Sequence, residues 1–542
     1  MKKFSVYFIL TFITLFSNAQ TNYVSDVWVS DLDNGKYKNP VLYADYSDPD
    51  VCRVGDDYYM TASSFNCVPG LPILHSKDMI NWRIIGYAIN KLTPIDVFSK
   101  VIHGGGVWAP SIRYHKGEFY IFYGDPDQGI FMTKSKDPAG EWEPLTLVKE
   151  GKGLIDACPL FDDDGKVYLA HAYAGSRAGI KSLLAVTALS ADGKKAVGES
   201  RIVYDGHDLD PTIEGPKFYK RNGYYYIFAP AGGVATGWQL AMRSKDIFGP
   251  YERKIVMEQG NTSVNGPHQG AWVDTENGED WFFHFQDVGT VGRVMHLQPM
   301  VWKNDWPVIG IDADGDGCGN PVLEFRKPDI KGNRPIETPI ESDEFSANTL
   351  GLQWQWHANP QSWWYFTNKE KGVLSLYSVP IPDNYKNLWD VPNLLLQKFP
   401  APDFTTSVKL TLTPDSRFVG ERTGLLIMGM DYSLLSFERT DEGFLLSHNE
   451  CLNAEKGTEE KINESVSLKQ ATVYLKVRVA NGNTCLFSYS TDGRQYKNIG
   501  KTFKAKEGKW IGAKVGVFCT RSFPKNDGGR VDVDWFRIVK NM

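Results

Sequence analysis

Cysteine is scarce in this chain. Seven cysteines are spread over 542 residues, without the close, paired spacing that marks a disulfide framework or a zinc site. We therefore expect most of them to be small buried apolar residues. A single bridge, for example between Cys52 and Cys67, stays open at this stage.

The sequence also lacks an excess of positive charge. Lys and Arg number 59 against 65 for Asp and Glu, which gives a formal net charge of −6. Proteins that bind nucleic acid need a basic face or stripe to neutralise phosphates, and none is visible here. The balance of charge therefore excludes nucleic acid as an expected partner.

Long apolar runs are missing after the first twenty residues. Lys2 and Lys3 precede the apolar stretch 4–16, which is too short to span a bilayer, and Ser17-Asn18-Ala19 fits a small-residue cleavage site. We predict a signal peptide over residues 1–19. No cysteine stands at the cleavage site, so we expect no membrane anchor and an exported protein, periplasmic or extracellular.

Aromatic residues, by contrast, are plentiful at 13% of the chain. They belong largely to a hairpin signal, in which an acidic or glycine-containing turn precedes a run of aromatic and apolar residues. This signal recurs five times, at 55–59, 116–120, 164–168, 222–225 and 278–282. Hairpins repeated at this period without helical patterns between them predict a five-bladed β-propeller.

The pattern changes after Pro328. Residues 329–340 have the composition of a linker, and many short alternating strands follow from Glu341 to the end. We therefore predict an all-β chain, with a propeller domain over 20–328 and a β-sandwich of jelly-roll, concanavalin A-like type over 341–542.

A distinctive residue stands before each of the five hairpins, next to small residues or proline. Because the innermost strand of a propeller blade starts at the central channel, we expect these residues to converge on one axis. They are Asp48, Trp108, Asp156, Glu214 and His268.

Three carboxylates near one axis are costly unless function requires them. Crowding keeps one carboxyl group protonated for use as a general acid, while another, left ionised, can activate water. That pairing is the chemistry of glycoside hydrolysis. Taken singly, Asp-Pro and Glu-Gly-Pro are more typical of structural turns. Only their equivalent position before each hairpin favours a functional site.

At this point the sequence resembles glycoside hydrolase family 43, in its β-xylosidase and α-L-arabinofuranosidase branch, with the sandwich that accompanies many such enzymes. The resemblance spans almost all of the chain after residue 38. Its motifs are Asn39–Leu42, Ser47–Tyr59, Pro69–Asp78, Trp108–Ile112, Ile155-Asp156, Glu214–Pro216, Gly292–Pro299, Ser342–Phe345, Leu350–Trp356 and Val533–Phe536.

The resemblance implies a propeller enzyme that inverts the anomeric carbon. Asp48 would be the general base, Glu214 the general acid, and Asp156 would orient Glu214 and favour its protonated form. The carboxyl groups of Asp48 and Glu214 would then lie roughly 6.5–9.5 Å apart, which leaves room for the attacking water.

The resemblance also implies a sugar pocket. Trp108 and Phe65 would wall it, Arg293 would bind sugar hydroxyls near Asp48, and Arg177 is a further candidate contact. Phe523 is a candidate for a sandwich residue that closes the pocket.

Metal binding stays open at two places. His268 would hold a central calcium or water cluster, or else would be a satisfied channel histidine. The segment 312–317 resembles the start of a calcium loop, but Leu323 stands where a bidentate Glu is needed, so we interpret it as a surface loop. We expect no required cofactor, with a structural calcium possible.

The sequence therefore predicts an inverting exo-glycosidase that removes terminal β-D-xylosyl or α-L-arabinofuranosyl units from plant polysaccharides. Its alternatives are an endo-acting arabinanase-like hydrolase and a non-catalytic sugar-binding propeller. An invertase-like retaining enzyme is disfavoured, because Ser47-Asp48-Pro49-Asp50 lacks the Asn that precedes the Asp in those enzymes. Oligomeric state is not predicted.

Overall fold

The computed structural model describes residues 22–332 and 334–541, so the predicted signal peptide lies outside the described residues. Nearly all regular structure is β-strand. The described helices are α1 (Ile95–Phe98), α2 (Gly175–Ala178) and the 3-10 turns η1 (Gly289–Val291), η2 (Leu388–Asp390) and η3 (Ala454–Lys456). None of these helices is long and apolar enough to cross a membrane.

Strand β1 (Lys36–Lys38) is followed by five antiparallel sheets of four strands each, in simple sequential order. The five blades are: β2 (Asp50–Val54), β3 (Asp57–Thr61), β4 (Gly70–Ser76) and β5 (Trp82–Ile89); β6 (Trp108–His115), β7 (Glu118–Asp125), β8 (Gly129–Ser135) and β9 (Thr146–Glu150); β10 (Leu154–Phe161), β11 (Val167–Tyr173), β12 (Leu183–Leu189) and β13 (Arg201–Asp205); β14 (Lys217–Arg221), β15 (Tyr224–Ala231), β16 (Trp238–Ser244) and β17 (Glu252–Met257); β18 (His268–Asp274), β19 (Asp280–Asp287), β20 (Arg293–Lys303) and β21 (Trp306–Ile309). This is the predicted five-bladed propeller.

The middle strands of the blades are buried on both faces. In β7, every residue from Phe119 to Asp125 is buried, because each blade packs on the next through an apolar cluster. Blade one meets blade five in the same way, through residues such as Trp82 and Phe283. The ring is thus closed by five similar interfaces, which explains the near-continuous apolar runs of these strands.

The segment before blade one fastens the ring. Backbone hydrogen bonds join Val41 and Leu42 to Met295 of blade five. The Asn39 amide donates to the carbonyls of Leu297 and Val322 and accepts from the Leu297 N–H, at 2.8–2.9 Å. Next to it, β1 pairs with β22 (Glu324–Arg326). The two ends of the propeller are therefore held on one blade.

Two eight-stranded sheets form the sandwich, as predicted. The strands are β23 (Gln355–Trp356), β24 (Tyr365–Asn368), β25 (Val373–Tyr377), β26 (Val379–Pro380), β27 (Leu395–Lys398), β28 (Phe404–Thr413), β29 (Glu421–Met428), β30 (Tyr432–Thr440), β31 (Gly443–Cys451), β32 (Lys461–Leu468), β33 (Thr472–Ala480), β34 (Thr484–Ser490), β35 (Lys497–Asn498), β36 (Phe503–Lys504), β37 (Lys514–Arg521) and β38 (Arg530–Val539).

Strict alternation of apolar and polar residues builds this domain. In β33, Val473, Leu475, Val477 and Val479 are buried between more exposed neighbours. A strand turns successive side chains to opposite faces, so one face enters the core and the other meets water.

The sandwich is bonded directly to the propeller. Val68 and Trp356 exchange two backbone hydrogen bonds, and the Asn359 side chain pairs with both backbone groups of Leu92 at 2.8 Å. Val291 of the propeller lies inside the apolar core of the sandwich. The relative position of the two domains is therefore set by specific contacts.

All seven cysteines lie in the described part of the chain, and all carry free thiols. The bridge between Cys52 and Cys67 that the sequence left open does not form. Cys67 instead accepts a hydrogen bond from Lys514 of the sandwich at 3.0 Å. Most of the cysteines are buried, as predicted.

Asn39→Ala should destabilise the protein by about 2–3 kcal/mol, because it leaves the Leu297 N–H and the Val322 carbonyl without their side-chain partner. Urea unfolding of the full chain measures the change. Asn384→Ala, at an exposed position, is the matched control and should stay within about 0.5 kcal/mol of the parent. Equal stability of the two variants would contradict this role of Asn39.

Candidate active site

The inner strands of three blades meet at a buried charge network on the propeller axis. Asp50 of β2 accepts from the Arg113 guanidinium of β6 at 2.5 Å, and the Lys217 ammonium of β14 lies 4.0 Å from the same oxygen. Lys217 also donates to the Pro110 carbonyl and the Ser111 hydroxyl. Because Asp50 and Lys217 are the first residues of their strands, the network fixes where these two strands enter the channel.

One residue at the entry of each inner strand has a left-handed backbone. The φ angles are 52° at Asp48, 34° at Ala109, 60° at Asp156, 59° at Gly215 and 34° at Gln269. In blades two, three and five the strand register shifts at the same point. This is a repeated β-bulge, a feature that bends a strand and redirects its side chains.

The bulge divides the predicted ring into two sets. Asp48 and Asp156 occupy the left-handed position, whereas Trp108, Glu214 and His268 each stand one residue before it. The sequence analysis placed all five residues at the same position of their respective blades. The structure shows that each blade offers two adjacent positions at the channel.

Gly215 explains the local sequence around Glu214. A Cβ at this position would lie 2.4 Å from Cγ of Gln269, and the backbone is left-handed. Glycine is the residue that tolerates both conditions. Glu214 is therefore followed by glycine because the left-handed residue of blade four packs tightly against blade five.

Asp48 is held by a full set of donors. It is 5% exposed, and its Oδ2 accepts from the hydroxyls of Ser47 and Ser63 at 2.7 and 2.6 Å. Its Oδ1 accepts from the Arg293 guanidinium at 3.0 Å, and Arg293 also binds the Ser47 hydroxyl. Arg293 therefore lies beside Asp48 and contacts it directly, while its binding of sugar hydroxyls stays a prediction.

Asp156 interacts with both of the other two carboxyl groups. Burial raises the pKa of Asp156 well above its usual range, and the charges of Glu214 and Asp48 raise it further. A hydrogen bond from the Gly215 N–H to Oδ2, at 2.7 Å, acts in the opposite direction. The three predicted carboxyl groups are therefore close enough to interact electrically.

Glu214 is the more accessible carboxyl group, with a side chain 29% exposed, and its Oε1 lies 3.0 Å from Nε2 of His268. His268 is only 1% exposed, and its Nδ1 has no partner among the described residues. Calcium prefers six to eight oxygen ligands, so this imidazole is an atypical ligand for it. The metal role of His268 stays a prediction, while its contact with Glu214 is direct.

The predicted pocket residues gather around Trp108. The ring of Phe65 meets that of Trp108 edge-on at 6.2 Å, and the Arg177 guanidinium lies 6.0 Å from the Trp108 ring. Phe65 is 3% exposed, so it mainly supports Trp108 from behind. Arg177 is held at the rim by an ion pair with Asp127 at 3.0 Å.

A sandwich residue does approach this wall, but it is Trp510 and not Phe523. The Trp510 ring lies 6.3 Å from that of Trp108 and is 51% exposed. Phe523 packs on Phe418, 4.9 Å away within the sandwich. Sequence reasoning missed Trp510, because the loop that carries it has no local signal of its target.

Asp45 is a second residue that the sequence analysis missed. It is 3% exposed, and its Oδ1 accepts from the Arg293 N–H while its Oδ2 accepts from the Gly512 N–H, both at 3.0 Å. One carboxylate thus joins the residue that binds Asp48 to the sandwich loop that carries Trp510.

The loop 312–316 brings Asp312, Asp314 and Asp316 within 4.8 Å of one another. Asp312 is already paired with Lys303 at 3.0 Å, and Glu324 is paired with Lys36. Leu323 is 49% exposed. The interpretation of this segment as a surface loop stays a prediction, as do the open question of a structural calcium and the expectation that no cofactor is required.

The arrangement has defined chemical capabilities. One carboxylate is fixed by an arginine and two hydroxyls, a second is accessible beside an imidazole, and a third is buried and interacts with both. Two carboxyl groups in unlike environments can divide the work of base and acid, which is what glycoside hydrolysis needs. The fold and site thus define a propeller enzyme of the glycoside hydrolase class.

Comparison with known families agrees with this class. The profile described as "Glycosyl hydrolases family 43" matches residues 37–307, and the profile described as "Beta xylosidase C-terminal Concanavalin A-like domain" matches residues 342–539. The chain belongs to glycosyl hydrolase family 43. The resemblance noted from the motifs is confirmed, and the non-catalytic alternative loses its support.

Curated relatives cover most of the chain. It is 40% identical to a putative β-xylosidase of Xylanibacter ruminicola, over 90% of this chain and 87% of the relative. It is 33% identical to a β-xylosidase of Formosa agariphila, with 93% and 90% covered. It is 28% identical to a non-reducing end α-L-arabinofuranosidase of Bacteroides ovatus, with 92% and 94% covered.

A solved structure supports the domain arrangement. The xylan β-1,4-xylosidase from Bacillus halodurans superposes with a TM-score of 0.81 at 25% identity, covering 93% of this chain and all of that chain.

Asp156→Asn should make the protein more stable than the parent above neutral pH, with a difference that shrinks as pH falls. The raised pKa means that the folded state resists ionisation of Asp156, so the parent loses stability as pH rises through that pKa. Urea unfolding of both proteins at pH 5 and pH 8 measures the difference. A gap that does not change with pH would contradict the assignment.

Asp45→Asn should lower kcat/KM for a glycoside substrate roughly tenfold or more, because Asn cannot accept from both N–H groups without turning its own amide toward one of them. We expect a fall in kcat through Arg293 and a rise in KM through Trp510. Asp78→Asn, at an equally buried turn of blade one, is the control. If both variants lost only stability, Asp45 would have no positioning role.

Proposed function

We propose that this protein is an inverting exo-glycosidase that removes terminal β-D-xylosyl or α-L-arabinofuranosyl units from plant cell-wall polysaccharides. The observation that carries the proposal is the set of three interacting carboxyl groups at the propeller axis, each in a different environment. The names of the relatives, β-xylosidase and α-L-arabinofuranosidase, supply the sugars.

Asp48 acts as the general base. It accepts hydrogen bonds from Arg293, Ser47 and Ser63, which fix the direction of its lone pairs. A water on the free side of the carboxylate gives its proton to Asp48 while its oxygen attacks the anomeric carbon. Attack from the face opposite the leaving group inverts the configuration.

Glu214 acts as the general acid. Its partial exposure gives access to a substrate, and the contact with His268 holds the carboxyl group in one orientation. Glu214 donates its proton to the glycosidic oxygen as the bond to the anomeric carbon breaks. After release of both products, a proton returns from Asp48 to Glu214 through solvent.

Asp156 is the positioning residue of the set. It accepts a hydrogen bond from the Gly215 N–H and so holds the backbone next to Glu214. The proposed chemistry uses water and two carboxyl groups and calls for no cofactor.

Exo action is supported by the wall around the pocket. Trp108 and Trp510 approach each other from the two domains, with Phe65 behind and Arg177 at the rim. A wall of this kind suits a terminal sugar better than the middle of a chain. The endo-acting arabinanase alternative would need an open cleft at this place.

The site of action is also part of the proposal. The basic and apolar beginning of the chain supports export to the periplasm or the outside of the cell, where polysaccharide fragments are available.

Glu214→Gln should lose several orders of magnitude of activity on an aryl glycoside with a poor leaving group, and much less with dinitrophenolate. A good leaving group departs without protonation, so only the acid variant shows this dependence. Asp48→Asn should lose about the same factor with both leaving groups. The measurements are initial rates on aryl β-D-xylopyranosides and aryl α-L-arabinofuranosides.

The anomeric configuration of the first product, followed by proton NMR with the parent enzyme, tests inversion. Retention of configuration would overturn the assigned roles. If the parent enzyme cleaved neither aryl glycoside but released oligosaccharides from linear arabinan, the endo-acting alternative would be favoured.

A further inference from the structure

A second group of aromatic residues lies on the surface of the sandwich. Trp363, Phe366 and Tyr377 are 50%, 55% and 37% exposed, on or beside the neighbouring strands β24 and β25. Rings of this size are normally buried, so three half-exposed rings in one place indicate a surface that binds something.

These rings line two adjoining grooves. One has a volume of about 520 Å³ and the other about 400 Å³, and both are lined by Ser362, Tyr365 and Phe366. Each lies within the range of small-ligand sites. All the residues that line them belong to the sandwich, whereas the catalytic carboxyl groups belong to the propeller. The grooves are therefore separate from the active site.

Polar groups accompany the rings. Arg521 lines the larger groove, is only 7% exposed, and its Nε has no partner among the described residues. Asn526 and Asp527 line the same groove, and Asp527 is paired with Arg417. The groove thus combines apolar faces with hydrogen-bonding groups and has little net charge.

This combination matches the chemistry of a neutral sugar. The C–H face of a sugar ring packs on an aromatic ring, while its hydroxyls need donors and acceptors at the edge. A second protein chain is the less suitable occupant, because β24 is an edge strand of only four residues and short edges pair poorly.

We propose that these two grooves form an accessory binding site for a neutral pentose chain of the polysaccharide on which the enzyme acts. The identity of the sugar rests on the proposed function. The site would hold the polymer on the sandwich while chain ends enter the propeller, so it would act on polymers and not on small glycosides.

The test uses affinity electrophoresis of the full chain in gels that contain soluble arabinoxylan. Glu214→Gln serves as the background, so that the polymer is not degraded. Adding Trp363→Ala and Phe366→Ala should weaken retention at least about fivefold. Adding Tyr114→Ala instead, an exposed aromatic on the propeller, should leave retention unchanged.

In an otherwise parental enzyme, the same pair of substitutions should leave hydrolysis of aryl glycosides unchanged and slow the hydrolysis of arabinoxylan. Aryl glycoside hydrolysis by the parent tests the proposed function by itself, so the two ideas can fail separately. Unchanged polymer retention in the groove variant would overturn the accessory site. So would light scattering that shows a parental dimer lost in the variant, because a second copy would then cover the grooves.

Discussion

The buried network of Asp50, Arg113 and Lys217 is the constraint on which the rest of the site depends. Its charges come from blades one, two and four and have little access to water. Removing any one partner would leave a buried charge uncompensated, which makes the arrangement hard to rearrange. Because Asp48 stands two residues before Asp50 and Glu214 three before Lys217, the network also holds the entry points of the catalytic strands.

The repeated β-bulge directs functional side chains into the channel around this rigid network. A regular strand would turn alternate side chains away from the channel, whereas the bulge in blades two, three and five places two adjacent residues there. The same backbone carries Asp48 and Asp156 at one position and Glu214 and His268 at the other. Chemically similar carboxyl groups therefore have different surroundings because the backbone differs slightly from one blade to the next.

The sandwich contributes to the site as well as to stability. Asp45 links the Arg293 backbone to Gly512, and Trp510 faces Trp108 from the neighbouring loop. A change in the sandwich loop can therefore reach Arg293 through two hydrogen bonds and Asp48 through a third. This connection gives a physical reason why the two domains occur in one chain, and the proposed accessory site on the sandwich would extend that reason to the polymer.

The sequence by itself determined the five repeats, the change of domain after Pro328 and the three carboxyl groups before the hairpins, because local turn and strand patterns carry that information. It did not determine the contact of Arg293 with Asp48, which lie 245 positions apart. It could not determine the two positions per blade, since a bulge depends on how neighbouring blades pack. It also misplaced the closing aromatic residue, and it could not pair Asp45 with Gly512, which lie 467 positions apart. Contacts of that separation are decided only when the ring closes and the sandwich docks upon it.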